Sequence, residues 1–108
     1  MSRFYTSGRW RVKEGHGDAF LVAFAASGVD DVDPPIRGLV ERPRLLQDLQ
    51  DPQLYLSYAV WDSREAIEEF RSRPDFAAMI ERMREHLEDM QISTLALVVG
   101  GQIDKAGG

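Results

Sequence analysis

The run from Leu54 to Ser63 constrains this chain most. Leu54 to Trp61 reads as an apolar β-strand, and Ser63 stands where its hydroxyl can accept a free amide hydrogen at the start of a helix. A strand that passes directly into a capped helix fixes a junction, and the bulky Trp61 sits on it. That position suits a tryptophan lining a pocket and equally one packed in an ordinary core.

The flanking segments can be read in the same way. Phe4 to Val12 alternates as a first strand, with Phe4, Thr6, Gly8, Trp10 and Val12 on one side and Tyr5, Ser7, Arg9 and Arg11 on the other. Lys13 to Gly17 breaks it. Asp18 is placed to cap a helix through Ser27, whose stripe of Ala19, Phe20, Ala23 and Phe24 must find a sheet. Gly28 stops that helix, and Val29 to Arg37, with three aspartates and the Pro34-Pro35 pair, reads as a loop or lid. Leu39 to Leu49 is a second strand. Its Pro43 lacks the amide hydrogen of a central strand, which puts it at an edge or a bulge. Gln50 to Gln53 has turn chemistry, so the second strand should fold back antiparallel onto Leu54 to Trp61.

Beyond Ser63 a short helix carries Glu65 at its positive end and Ala66, Ile67 and Phe70 on its apolar side. Arg71 to Pro74 resets the chain. Phe76, Met79, Ile80, Met83 and Leu87 then recur at helical spacing, and Ile92 to Val99 is a last strand. Residues 1–100 are expected to form one domain and residues 101–108 a flexible C-terminal tail. The order strand, helix, strand, strand, helix pair, strand predicts an α+β fold: a ferredoxin-like antiparallel sheet with its helices on one face.

Composition excludes several functions. The 108 residues carry a net charge of −5, which gives no electrostatic footprint for nucleic acid. No apolar run reaches the roughly 18 residues of a membrane span, and Met1 to Phe4 opens into structure without a signal-peptide pattern, so a cytoplasmic protein is expected. With no cysteine and with His16 and His86 far apart, no metal site is expected. His16, between two glycines, reads as an exposed loop residue, and His86 as a solvated residue near a helix C-terminus. The acidic run Asp30, Asp31 and Asp33 lacks the pattern of a calcium loop and reads as a solvated turn.

The two faces of the sheet differ. Thr6, Gly8, Ser57, Ala59, Thr94 and Ala96 share the parity of Trp10, Trp61 and Val98, so small residues gather on the side that should meet the helices. They either accommodate the aromatics above them or leave an apolar pocket for a flat organic ligand. The opposite parity holds Leu54, Leu56, Tyr58, Val60, Leu95, Leu97 and Val99, more hydrocarbon than a single chain should expose. A symmetric homodimer packed sheet to sheet is the expected solution.

Three motifs together resemble the antibiotic biosynthesis monooxygenase superfamily: Arg11 to Gly15 after the first strand, Leu46 to Pro52 at the hairpin, and Trp61 to Ala66 at the third strand's exit. The resemblance covers Tyr5 to Val99 and implies a dimeric α/β-barrel with one apolar pocket per subunit. In some members that pocket is a monooxygenase site for polycyclic phenols and quinones, and in others a haem-degrading site. The haem-degrading branch resembles a pocket asparagine, a tryptophan matching Trp61 and an axial histidine. Gly8 and Ile80 occupy the first and third positions here, which speaks against that branch.

The resemblance therefore implies a cofactor-independent monooxygenase acting on an aromatic or quinone-like small molecule, with no cofactor. The alternative is a non-catalytic dimeric barrel that binds a small apolar or aromatic ligand. Trp61 is the candidate catalytic residue, shaping the pocket and donating its indole N–H. Gly8, Trp10, Phe20, Phe24, Ser57, Ala59, Phe76, Ile80 and Met83 are the candidate ligand-binding residues. Arg42 and Arg44 are candidates to stabilise a substrate anion from the edge strand, or serve solubility there.

Overall fold

The computed structural model describes residues 3–25 and 36–100. Seven elements follow in order: β1 (Phe4–Val12), α1 (Gly17–Ala25), β2 (Leu39–Gln47), β3 (Leu54–Trp61), α2 (Arg64–Arg71), α3 (Pro74–Arg84) and β4 (Leu87–Ala96). The strands form one antiparallel sheet in the order β2-β3-β1-β4, with the helices on one face, which is the ferredoxin-like α+β arrangement. The end of the first helix at Ser27 and Gly28, the segment 29–35 with its aspartates, and the tail 101–108 lie outside the described residues.

Local chemistry sets most boundaries. Ser63 Oγ accepts the Ala66 amide hydrogen at 3.1 Å, capping α2, while Glu65 lies in its first turn and Arg71 in its last, each complementing the helix dipole. Pro74 opens α3, where a missing amide hydrogen costs nothing. The β2–β3 turn is organised by Asp48, whose Oδ1 accepts the amide hydrogens of Gln50 at 2.7 Å and Asp51 at 3.0 Å. Edge strand β2 shifts register between Glu41 and Arg44, around Pro43, as a residue without a ladder donor requires.

Four boundaries differ from the sequence reading, the first being that β2 ends at Gln47 rather than Leu49. Phe20 N–H donates to His16 O at 2.8 Å, so α1 begins at Gly17 and Asp18 sits inside its first turn rather than capping it. Strand β4 starts at Leu87, not Ile92, and stops at Ala96. Leu87 is not the last helical position but a buried strand residue opposite Val12, reached through a bulge in the β1–β4 register. Val98 and Val99, placed on the last strand by their alternation, lie beyond its end and are exposed.

The inner face of the sheet carries two separate buried clusters. Trp10, Val12, Phe20, Tyr55, Ile80, Met83 and Leu87 form the first, beneath α1 and α3. Ala59, Trp61, Ala66 and Ile67 form the second, beneath α2, with Phe4, Leu39 and Phe70 packed against it. On the outer face Leu46, Leu56, Leu95 and Leu97 remain 41 to 51% exposed. Leu54 and Val60 share that parity yet are already buried within the single chain. The register sets Leu54 beside Arg11, and Val60 between Tyr5 and Glu41, long side chains able to cover them.

Candidate functional site

Between the two clusters lies a cavity of about 370 Å³. Its floor is the row of small residues on β1 and β3. Gly8 and Ser57 are paired in the register, as are Thr6 and Ala59, and all four line the cavity. Trp10 and Trp61 stand at its two ends. Phe24, Phe70, Phe76, Met79 and Ile80 close it from the helices, and Ile36, Leu39, Leu45 and Ile92 line its sides. The large side chains gather in the two clusters, and the small residues of the floor both accommodate the two indoles and leave space between the clusters.

Gly8 has a specific reason to lack a side chain. A Cβ there would come within 2.5 Å of the Trp10 ring, which folds back over the glycine. From that position Trp10 Nε1 donates to Ser57 Oγ at 2.9 Å. At the other end Trp61 Nε1 donates to Thr6 Oγ1 at 3.0 Å, and Trp61 is 2% exposed. Its ring meets Phe70 at 5.4 Å, and Phe70 meets Phe76 edge-on at 5.1 Å, so the aromatic wall continues from β3 onto both later helices.

Of the candidate residues, Gly8, Trp10, Phe24, Ser57, Ala59, Trp61, Phe76 and Ile80 line the cavity. Phe20 and Met83 do not. Both are fully buried in the first cluster, where Phe20 packs between Trp10 and Tyr55 at ring distances of 6.1 and 5.3 Å. The Trp61 indole N–H, expected to donate to a ligand, donates to Thr6 Oγ1 in this structure. Arg44 is exposed, pairs in register with Tyr58 and does not line the cavity, and the side chain of Arg42 lies outside the described part. The histidines are not separate solvated residues: His16 Nδ1 and His86 Nδ1 lie 3.1 Å apart, both partly buried, and neither lines the cavity. Among the described residues no group of three potential metal ligands exists.

Sequence reasoning missed Arg71 as a cavity residue. The signal was present: Arg71 follows Ile67 by four positions and so shares the apolar side of α2. Its guanidinium donates to Thr94 Oγ1 and, at 3.4 Å, to the Ser93 carbonyl on β4. Partial burial pushes its pKa below the ordinary arginine value, with no carboxylate acting against that shift.

Comparison with known proteins agrees with this architecture. Residues 40–82 match the family model for antibiotic biosynthesis monooxygenase, a segment from β2 through most of α3. Over that segment the chain is similar to this family. A variant of SnoaB, a cofactor-independent oxygenase from Streptomyces nogalater, is 20% identical with a TM-score of 0.74, covering 94% of this chain and 95% of its own. A candidate antibiotic biosynthesis monooxygenase from Bordetella bronchiseptica is 18% identical with a TM-score of 0.76, covering 92% of this chain and all of its own. Protein SO0527 from Shewanella oneidensis is 18% identical with a TM-score of 0.77, covering 92% and 94%. At these identities the solved structures speak for the fold. No curated protein sequence matches the chain.

Proposed function

We propose that this antibiotic biosynthesis monooxygenase-like domain is a cofactor-independent monooxygenase acting on an aromatic or quinone-like small molecule. The observation that carries the reading is the cavity of about 370 Å³ between two packed clusters, walled by Trp10, Trp61, Phe24, Phe70 and Phe76. Its size falls within the range of small-molecule sites, and its flat apolar walls suit a ring system. The family-model match and the fold shared with SnoaB support the same reading.

The chemistry asks little of the protein. An ionised phenol passes an electron to dioxygen, and the resulting pair recombines at a ring carbon. Loss of water then leaves one oxygen atom in a quinone and the other in that water. The domain contributes positioning within an apolar pocket. Trp61 acts here as a wall that orients the ring, its N–H being held by Thr6.

The exposed row of Leu46, Leu56, Leu95 and Leu97 supports a second copy of this chain on the outer sheet face. The helices of the chain lie on the other face, so a symmetric partner sheet is the simplest cover.

Crystals soaked with 9-anthrol, together with oxygen-electrode measurements, test the function. We expect the ring between Trp61 and Phe76 and oxygen uptake well above the protein-free rate. Bound 9-anthrol without uptake would instead make this a ligand-binding barrel, and a cavity that excludes the ring would overturn both.

A further inference from the structure

Arg71 is placed where a structural arginine has no need to be. The C-terminal turn of α2 favours a cation, and its contacts with Thr94 and Ser93 tie α2 to β4. Both tasks would be served by a side chain lying in solvent, yet Arg71 is partly buried and faces an apolar cavity. It also lacks a counter-ion: among the described residues no carboxylate pairs with it, whereas Arg73 holds Asp75 at 3.0 Å and Arg11 holds Asp51 at 3.0 Å. A partly desolvated cation beside hydrocarbon without a counter-ion is costly, and an anion in the cavity would reduce that cost.

The neighbouring polar groups point the same way. A guanidinium has five N–H donors, of which the protein engages those to Thr94 and Ser93. Thr6 and Thr94 face each other across the β1–β4 pairing, and each hydroxyl oxygen already accepts a hydrogen, from Trp61 and from Arg71. Accepting leaves each hydroxyl hydrogen to be donated elsewhere. Ser57, which accepts from Trp10, is in the same state at the far end. Of these, Thr6, Ser57 and Arg71 line the cavity and present donors to it, among walls that are mostly apolar, while Thr94 is exposed and anchors Arg71 from outside the lining. A site of that kind suits a flat molecule that brings acceptors and negative charge.

We propose that Arg71 is the counter-ion of this cavity, selecting ring systems that carry an ionised oxygen over their neutral counterparts. The inference rests on the cavity being the substrate site proposed above, and it adds the residue that reads the ionised oxygen. The chain is acidic overall, with 18 Asp and Glu against 13 Lys and Arg, so an anionic ring gains little attraction from the protein as a whole and depends on a local cation.

Isothermal titration with two probes of similar shape tests it. 2-Hydroxy-1,4-naphthoquinone is ionised at neutral pH, and its 2-methoxy ether is neutral. The wild-type domain is expected to prefer the ionised quinone by about tenfold or more, the scale of a charge-assisted hydrogen bond. Arg71→Met should abolish that preference while leaving the affinity for the ether nearly unchanged, which also reports that the cavity has survived the substitution. Arg71→Lys, which keeps the charge and loses the fork, should retain a reduced preference. Equal binding of both probes by the wild type, or a preference that persists in Arg71→Met, would overturn the inference while leaving the cavity as the site. Failure of both probes to bind would overturn the cavity reading and this inference with it.

Discussion

Thr6 and Ser57 each lie beneath an indole, and their hydroxyls hold the two tryptophans at opposite ends of the cavity. Exchanging Thr6 for valine preserves shape but strands the indole donor of Trp61, a residue only 2% exposed. The expected loss is about 1–3 kcal/mol, the cost of an unpaired buried polar group. It should appear as a lower urea midpoint with an unchanged slope, and Thr6→Ser should lose less. An unaltered midpoint in Thr6→Val would mean that the Trp61 N–H finds another acceptor. These pairings were not legible in the sequence, although the shared parity of Thr6, Gly8, Ser57, Ala59, Trp10 and Trp61 was. Parity assigns a residue to a face. Which hydroxyl meets which indole depends on the cross-strand register, and Gly8 matters because its missing side chain lets the Trp10 ring lie back across the strand. Arg71 was overlooked because the neighbouring Ser72 and Pro74 read as an interruption. The helix continues through Arg71 and carries its side chain onto the apolar side.

Among the elements, the β2–β3 hairpin is tied to the end of β1 by an ion pair. Arg11 donates to Asp51 at 3.0 Å, and this hydrogen bond, with the attraction of the charge, holds the Asp51 carboxyl below its ordinary value and raises Arg11. The folded-state value of Asp51 lies below the unfolded one, so its contribution to stability is present above about pH 4 and lost as pH falls through the folded value. Arg11→Met is therefore expected to lower the denaturant midpoint slightly at neutral pH, by the small amount typical of exposed pairs. The gap from wild type should close near about pH 2. A gap that stays constant across that range would show that Arg11 acts through packing alone. At this scale the sequence was informative where local signals were strong: Ser63 caps α2, Pro43 sits at a register shift on an edge, and β3 runs from Leu54 to Trp61. It was misleading at β4, where Leu87 follows Met83 by one helical step while Glu88, Asp89 and Gln91 interrupt any apolar alternation. The bulge beside Val12 reconciles the two, since it turns Leu87 inward and leaves Asp89 opposite Arg11 and Gln91 opposite Arg9.

The whole molecule keeps its helices on one side of the sheet and leaves a leucine row on the other. Leu56, 42% exposed and flanked in register by Arg9 and Leu46, lies within that row. Leu56→Asp is expected to convert a dimer into single copies in sedimentation velocity, because one charge per copy would be buried against its symmetry mate. A wild-type protein that sediments as a single copy at micromolar concentration would overturn the sheet-to-sheet pairing. The fold was legible because each element has one apolar side and the order of elements leaves few ways to bury them all. The volume left over was not, since it is the difference between how tightly two clusters close and how far apart the sheet holds them.

That division of the interior has a thermal consequence. The two clusters face each other across unfilled space, so a fitting guest would knit together halves that the chain alone leaves apart. Melting temperature should then climb with guest concentration and keep climbing past saturation by mass action.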